Sequence, residues 1–484
     1  MRSPRLLLVA CCLLFQFHSK ASDQETHQSF YDLFEMASSQ NYNLQAAEYN
    51  TLASLAGLNG ARANFLPKVS MTSSLTYSEK TDEVLGTKTE DQIWNRNFAQ
   101  LSISLPIFSK ALKQLHLLKK FQHKMSVISE DLQRKSFYQS YVELYGSLVL
   151  LETNRGIQMA NVKFYSDLLD GEVGKLDAND PIRIQIELTY HQTNLGFNSF
   201  MAQYNQLRAQ FLAITGIDEL RGIYGLGEDF DIKAAYPPPP KGKEERKQYL
   251  DELCEKATSS PLSQGNLQYK LAALQLEQAE ALEKNARLWD VNVFAQAGYG
   301  ISQIEMDSLG ATIESSSWNA TLGVTIPLVD FTYRHQRRES FYQMLSAQSN
   351  LREAKRQLLI QGQSILYQLD SAYASYDAFF KKVAGRTLEE LIKTQQKRFK
   401  DVLSADEPNL AAILAEAGST QLSFQASLQA SNAVKDIIVN NLKLRLFTGE
   451  ISEQDIQELS GFLTEYTLLP EYREESEETP AELD

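Results

Sequence analysis

The sequence predicts a mainly α-helical fold that carries two β-hairpins and uses one structural unit twice. The first observation is an alternating apolar and polar segment that meets a proline and enters a helical stretch, before Pro106 and again before Pro327. The second is that no proline interrupts residues 107–180 or 328–407, so each segment can continue into a very long helix. The third is the spacing of about 220 residues between the two prolines, which indicates an internal duplication.

The start of the chain has the pattern of an exported protein. Arg2 and Arg5 precede an apolar run over residues 6–17, and small residues follow, so residues 1–21 are predicted to be a secretory signal peptide. The alternative is a lipoprotein signal in which Cys11 is lipidated, but the apolar region before Cys11 is short for that. The 484 residues carry a formal charge of −14, which disfavours nucleic acid as a partner.

The first repeat, residues 22–221, opens with apolar residues at helical spacing. They predict one helix over residues 28–62, which Pro67 ends. The chain then alternates, with apolar residues from Val69 to Tyr77 on one face and mostly serine and threonine on the other. A polar loop and a second alternating stretch complete a β-hairpin at about residues 69–106. Each strand is about nine residues long, the length that a tilted strand needs to cross a bilayer.

Residues 109–216 are predicted to form a long helical hairpin. Phe121 and Ile128 recur at an interval of seven residues, as do Tyr141 and Leu148, which is typical of a coiled-coil seam. A first helix of roughly 60 to 70 residues would be on the order of 100 Å long at 1.5 Å per residue. Residues 171–180 are predicted to be the turn, Asp180 an N-cap and Pro181 the first helical residue. Gly216 can end the returning helix.

The same order of elements follows a Pro-rich linker over residues 222–248, which contains four consecutive prolines. Residues 249–449 are predicted to be the second repeat: a helix, a hairpin at about residues 291–327 and a helical hairpin at 328–449, ended by Gly449. Residues 450–484 would form a C-terminal segment with an acidic, disordered tail.

In this order of elements, and in its local motifs, the chain resembles the TolC family of outer membrane factors over nearly everything after the signal. The resemblance is carried by the following segments: Asn41-Tyr42-Asn43-Leu44 and Ala61-Arg62 with Leu66-Pro67 at the opening helix and its exit, Ser104-Leu105-Pro106-Ile107-Phe108 and Thr325-Ile326-Pro327-Leu328-Val329 at the strand-to-helix junctions, Val173-Gly174 and Arg398-Phe399 at the helix tips, and Ile214-Thr215-Gly216 and Phe447-Thr448-Gly449 at the ends of the returning helices.

The resemblance implies a homotrimer whose strands join into one barrel in the outer membrane and whose helices form a hollow tunnel across the periplasm. The helix ends and the linker would make a belt around the tunnel. It implies the exit duct of a tripartite efflux or type I secretion system, which receives substrate from an inner-membrane pump through a periplasmic adaptor (membrane fusion) protein. It implies no cofactor and no metal. The cargo stays open between drugs, proteins and metal ions.

The first site that the resemblance implies is the pair of helix tips that contact the adaptor. Its residues here are Val173, Gly174, Lys175, Leu176, Val402 and Leu403. Lys175 stands where the family usually has leucine, and Val402 where it typically has glycine, so the identity of the adaptor is open. The alternative for Gly174 is turn chemistry alone, because glycine commonly terminates helices.

The second implied site is a constriction at the periplasmic mouth, made of carboxylates. The candidates are Asp177, Asp180, Asp406, Glu407 and Glu416. Around a threefold axis, each pore-facing carboxylate would become three close negative charges, which would repel anions and could bind cations. The alternative is a solvated turn residue or, for Asp180, a helix cap.

Pro106 and Pro327 are predicted to mark the junction between strand and helix. A proline there donates no hydrogen bond to the sheet and presets the helical φ. These prolines are therefore expected to govern the geometry of the tunnel.

An enzyme and a structural coiled-coil protein are the two alternative classes. An enzyme is disfavoured because the six histidines are scattered and the sequence has no Ser/His/Asp pattern, phosphate loop or Cys-rich site. Cys254 would be the only cysteine after the signal is removed, and it lies in a helical pattern. A structural coiled-coil envelope or adhesion protein is the alternative function, and it predicts sustained heptads without amphipathic strand hairpins.

Overall fold

The fold was analysed in a computed structural model that describes residues 29–80, 83–84, 87–88, 92–171, 173–175, 177–226, 231–259, 265–288, 290–306, 311–327, 331–380, 394 and 410–468. The predicted signal peptide and the acidic tail after residue 468 lie outside these residues.

The first half of the described chain has long helices on both sides of a strand pair. Its elements are α1 (Phe30–Gln40), α2 (Tyr42–Ala63), β1 (Lys68–Lys80), β2 (Glu83–Val84), β3 (Thr87–Lys88), β4 (Gln92–Ser109), α3 (Lys110–Asp170), a 3-10 helix (Val173–Lys175) and α4 (Pro181–Thr215). The turn and both helices of the predicted hairpin are thus present close to their expected bounds.

The second half follows a short strand and contains a second strand pair. Its elements are β5 (Gly222–Leu226), α5 (Ile232–Ala235), α6 (Lys243–Ser259), α7 (Leu267–Ala286), β6 (Asn292–Met306), β7 (Ala311–Thr325), α8 (Phe331–Phe380), α9 (Leu410–Thr448), α10 (Glu453–Phe462) and β8 (Leu463–Leu468). No described helix has an apolar stretch long enough to span a membrane.

The strands and helices share one lateral order. The four long strands form one antiparallel sheet in the order β1-β4-β6-β7. Each strand adjoins a helix in the chain, and those helices pack side by side in the matching order α2-α3-α7-α8. The helical layer therefore continues the sheet, and α4 and α9 pack along the far parts of α3 and α8.

An aromatic core joins α1, α3 and α4 where the helices meet. Phe30 lies with its ring centroid 5.2 Å from that of Tyr141, and Tyr141 lies 5.6 Å from Phe211. All three rings are almost fully buried, and the Tyr141 hydroxyl donates a hydrogen bond to the Phe30 carbonyl at 3.0 Å. The heptad spacing of Tyr141 and Leu148 thus reports the face of α3 that is covered by neighbouring elements.

The single helix predicted over residues 28–62 is wrong, because the chain breaks at Asn41. Asn41 has extended backbone, and its side-chain oxygen accepts hydrogen bonds from the amides of Asn43 and Leu44 at 2.9 and 3.1 Å, so it caps α2. Its side-chain amide donates to the carbonyl of Ile214 near the end of α4. A long-range contact therefore fixes a break that the local apolar spacing does not reveal.

The second half contains the same junction. Asn266 caps α7 by accepting a hydrogen bond from the Tyr269 amide at 3.0 Å, and it donates to the Phe447 carbonyl at 3.3 Å. The returning helices end at Gly216 and Gly449, which have φ of 71° and 73°. The predicted helix ends are therefore in place, and glycine is required at both because this conformation strains other residues.

The segment predicted as a linker packs against the helices. Its strand β5 pairs with β8 near the end of the described chain, and Ile223, Ile232 and Tyr236 are buried in the main core. The Tyr224 amide donates to the Tyr145 hydroxyl at 2.6 Å, which fastens this strand to α3. The two segments thus form one packed layer beside the long helices.

Candidate functional site

The four-stranded sheet has one apolar face and one polar face. The register places Met71, Leu101, Tyr299 and Trp318 in one row across the sheet, and the next row on the other face is Thr72, Gln100, Gly300 and Ser317. The apolar residues are not covered: Met71 is 75% exposed and Trp318 is 79% exposed. A sheet that exposes its apolar face along several rows has its faces suited to lipid on one side and water on the other.

The polar face is linked across the strands by hydroxyl groups. Ser70 and Ser102 lie 2.8 Å apart between β1 and β4, and Ser302 and Ser315 lie 2.8 Å apart between β6 and β7. Cross-strand hydroxyl pairs stabilise a sheet and leave the face wettable. The alternation predicted from the sequence is therefore present in all four strands.

The apolar band crosses the strands obliquely. On β1 it reaches Tyr77, whose partner on β4 is the polar Asn95. On β4 the apolar positions instead continue toward α3, at Leu105 and Ile107. An offset of this kind is what strands tilted in a membrane would need.

Both edges of the sheet are open within one chain. β1 pairs only with β4 in this sheet, and β7 only with β6, so each edge strand has one unpaired side over its described length. Unpaired backbone groups at a long edge favour pairing with another chain, and they are not tolerated in lipid.

The helices at the two ends of the row expose apolar stripes that match these open edges. On α2, Tyr42, Tyr49 and Leu52 are 81%, 66% and 52% exposed. On α8, Tyr342 and Tyr367 are each 66% exposed. Apolar residues on more than one face of α2 were the signal that a second surface is present.

Pro106 lies inside β4 and not at the first turn of the helix. It is opposite Phe294 of β6, immediately before a bulge after which Phe108 pairs with Val293. Helix α3 begins at Lys110, so the expectation that Pro106 presets its first helical φ is wrong. The bulge accommodates a residue without an N–H, which is the physical reason that proline is tolerated in this strand. Pro327 lies two residues after the end of β7 and before the start of α8.

The first helix tip is a compact turn that needs glycine. Gly171 follows α3 and donates to the Asp167 carbonyl at 3.0 Å, and the 3-10 helix begins two residues later. A Cβ on Gly174 would lie 2.3 Å from the Leu169 carbonyl oxygen, so no other residue fits without a shift. Packing thus accounts for this glycine, while Gly174 and Lys175 remain exposed to any partner.

The backbone and one carboxylate of this tip make local hydrogen bonds. The Asp177 side chain accepts a hydrogen bond from the Asn179 amide at 2.8 Å, and the Asp180 amide donates to the Asp177 carbonyl at 2.9 Å. Pro181 is the first residue of α4, as predicted. Among the described residues, no group of three or more His, Cys, Asp or Glu side chains is placed to hold a metal ion.

The rest of the two predicted sites lies outside the described residues. Leu176, Val402, Leu403, Asp406 and Glu407 are not described, and for Glu416 only the backbone is, within α9. That the two helix tips form one site therefore remains a prediction. The part of the chain that the structure brings together is the sheet and its continuous helical row.

The fold of this chain, a two-faced antiparallel sheet that continues into long antiparallel helices, is shared by solved outer membrane proteins. Three solved structures of such proteins have the same fold. The MtrE channel of Neisseria gonorrhoeae is 13% identical, with a TM-score of 0.64 over 87% of this chain and 89% of that one. The Campylobacter jejuni channel CmeC is 15% identical, with a TM-score of 0.64 over 92% and 95%. The Vibrio cholerae outer membrane protein VceC is 11% identical, with a TM-score of 0.59 over 87% and 95%.

The chain therefore shares its fold with these three outer membrane proteins. No protein-family model matches the sequence, and no curated protein matches it either. At 11–15% identity the likeness is one of fold alone.

Proposed function

We propose that this protein is an outer-membrane channel-tunnel, the exit duct of a tripartite efflux or type I secretion system. It would conduct substrate passively from an inner-membrane pump and a periplasmic adaptor, without catalysing a reaction. The observation that carries the proposal is the sheet with one exposed apolar face and two open edges, continuous with a helical row that is also open at both ends.

The two open edges support closure with other copies of the chain, and we propose that the closed form is a homotrimer. The β1 edge adjoins α2 and the β7 edge adjoins α8, so one end of a chain can pair with the opposite end of the next. Contacts of this head-to-tail type close into a ring when the rotation between copies permits it. In a ring of three, the polar sheet face would line a water-filled barrel, and the apolar face would meet the outer-membrane lipid.

The proposed internal duplication agrees with the same architecture. Asn41 and Asn266 make the same two contacts, one to their own helix and one to the end of a returning helix. Two equivalent halves per chain would place similar units at similar intervals around a tunnel. The first tip, with Gly174 and Lys175 exposed, would meet the adaptor together with residues 402–403 of the second.

The alternative, a structural coiled-coil envelope or adhesion protein, gives no reason for the sheet. A coiled coil needs a seam of buried residues and has no use for a 79% exposed Trp318 in a row with Tyr299 and Leu101. The two-faced sheet is the observation that separates the two functions.

The first experiment tests assembly and conduction. Outer-membrane fractions should contain heat-modifiable trimers, and the purified protein should form ion-conducting pores in planar bilayers. Leu52→Asp places a charge on the exposed stripe of α2 and should reduce the trimer, whereas Asn50→Asp adds the same charge beside the stripe and should not. A protein that stays a soluble periplasmic monomer would refute the proposal.

The second experiment tests the export role. Deletion of the gene should change drug susceptibility or the set of secreted proteins. A Lys175→Glu variant, changed in the exposed tip, should complement the deletion less well than the wild type and should cross-link less to the adaptor. Its pore conductance in bilayers should be unchanged. Full rescue by a deletion of residues 173–175 would remove the tip from the mechanism.

A further inference from the structure

A cavity of about 450 Å³ lies between the long helices and the packed layer of β5, β8 and α10. On the helix side it follows α3 from Val142 to Gly156, a distance of about 21 Å at 1.5 Å per residue. Ile438 of α9 and Leu459 of α10 contribute to its apolar walls. Cavities of this size and composition are typical of sites for small molecules.

Two helical glycines border the cavity, and only one has a packing reason. A Cβ on Gly146 would come 3.3 Å from the Cγ of Lys435, so this glycine lets the Lys435 stem cross α3. Around Gly156, no heavy atom lies within 4 Å of the position that a Cβ would take. Each glycine in a helix costs about 1 kcal/mol relative to alanine. Gly156 is exposed, so the cavity opens toward solvent at this end, and a larger side chain here would extend into its mouth.

The charged residues around the cavity carry a net positive charge. Arg155 and Glu152 form a bidentate ion pair, with both N–O distances 3.0 Å and side-chain exposures of 10% and 6%. Lys435 is the second cation, and its carboxylate neighbour Asp436 lies 3.8 Å away with a side chain that is 53% exposed. Two cations thus face one buried carboxylate, which favours a negatively charged group in the cavity.

We propose that this cavity binds an anionic amphiphile with a single acyl chain, whose tail lies along the apolar walls and whose head group lies near Arg155 and Lys435. The length along α3 fits an extended chain, and the excess positive charge fits its acidic head. The proposal goes beyond the channel assignment and does not rest on it, because the residues that line the cavity belong to one chain.

The binding experiment uses the full protein in phosphatidylcholine nanodiscs, with dansyl-aminoundecanoic acid as the probe. Its fluorescence should show a saturable component that unlabelled dodecanoate displaces and that empty nanodiscs lack. Gly156→Leu fills the open space and should weaken binding at least about tenfold. Gly196→Leu is the matched control, since Gly196 also lies in a helix with no atom within 4 Å of its Cβ position but does not border the cavity.

A second filling variant guards against misfolding of the first. Val434→Trp fills the cavity from α9 and should cause the same loss of probe binding. Equal affinity of Gly156→Leu or Val434→Trp and the wild type, or no saturable component in the wild type, would overturn the proposal. The pore conductance of the same preparations reports the channel function separately, so failure of one proposal is distinguishable from failure of the other.

The charge of the head group is tested at Lys435. Lys435→Gln should weaken binding of the acid probe about tenfold and leave its neutral methyl ester unchanged. Lys443→Gln is the control, because this lysine lies on the same helix and does not border the cavity. An equal loss for acid and ester, or an equal loss in Lys443→Gln, would overturn the assignment of an anionic ligand.

Discussion

Replacing Leu322 with arginine should prevent assembly of the protein in the membrane, while the same change at the adjacent Thr321 should not. Leu322 lies on the apolar face of β7 and is 72% exposed, and Thr321 lies exposed on the polar face. Arginine has room at both positions, so steric cost does not separate them. The difference comes from the medium that each side chain would meet.

The size of the effect follows from the position of Leu322 in its strand. Apolar residues occupy alternate positions from Trp318 to Val324 and continue at Ile326, so Leu322 is at the centre. Four residues at about 3.3 Å each, tilted by roughly 40°, place each end about 10 Å from it along the membrane normal. In the proposed barrel that position would be the midplane of a band about 25 Å tall, where arginine costs about 2–4 kcal/mol. Three copies would cost about 6–12 kcal/mol per trimer if the contributions add.

The assay compares the two variants at equal expression. The amount of heat-modifiable trimer in outer-membrane fractions and its dissociation temperature are measured for wild type, Leu322→Arg and Thr321→Arg. We expect little or no trimer for Leu322→Arg and near-normal trimer for Thr321→Arg. Normal assembly of Leu322→Arg, or equal loss in both variants, would refute the assignment of the two sheet faces.

Three further predictions concern the helices and their junctions. Burial, followed by the charge of Glu152, raises the pKa of Tyr204 to about 12, so the folded protein keeps a proton that the unfolded chain loses near pH 10. The free energy of unfolding should therefore fall between about pH 10 and 12. Tyr204→Phe should make this fall with pH less steep in alkaline unfolding curves. Gly449→Ala should destabilise by about 2 kcal/mol or more in urea titrations, because φ is 73° and the new Cβ would meet Gly265 backbone at 2.1 Å; a neutral result would contradict the junction. Replacing Pro106 and Pro327 with alanine should lower trimer yield and heat stability, and unchanged behaviour would count against a geometric role.

Local patterns in the sequence were sufficient for much of the fold. The alternation of Val69 to Tyr77 predicted a strand with two different faces, because side chains of a strand point to opposite sides in turn. Gly216 and Gly449 marked helix ends, because a left-handed residue is least strained as glycine. The end of the predicted tip turn was also correct, because the fixed φ of Pro181 suits the first position of a helix.

Local sequence patterns did not reveal which apolar surfaces are exposed or which distant segments pair. Leu52 is exposed at the end of the helical row, and sequence periodicity does not say which apolar face of a helix a neighbour covers. Residues 222–226 had the composition of a linker, yet they form a strand with residues more than 200 positions later. Short-range composition carries no information on such a partner.

The sequence by itself determined the order of the strands and long helices in both halves and the first tip turn, because period, proline and glycine act through the backbone of neighbouring residues. The tertiary structure alone decided three features: the break at Asn41, the bulge after Pro106 and the space beside Gly156. The first two depend on atoms distant in the chain, the Ile214 carbonyl for Asn41 and the strand opposite Pro106 for the bulge. Contacts of that kind are fixed by packing, which no local pattern encodes.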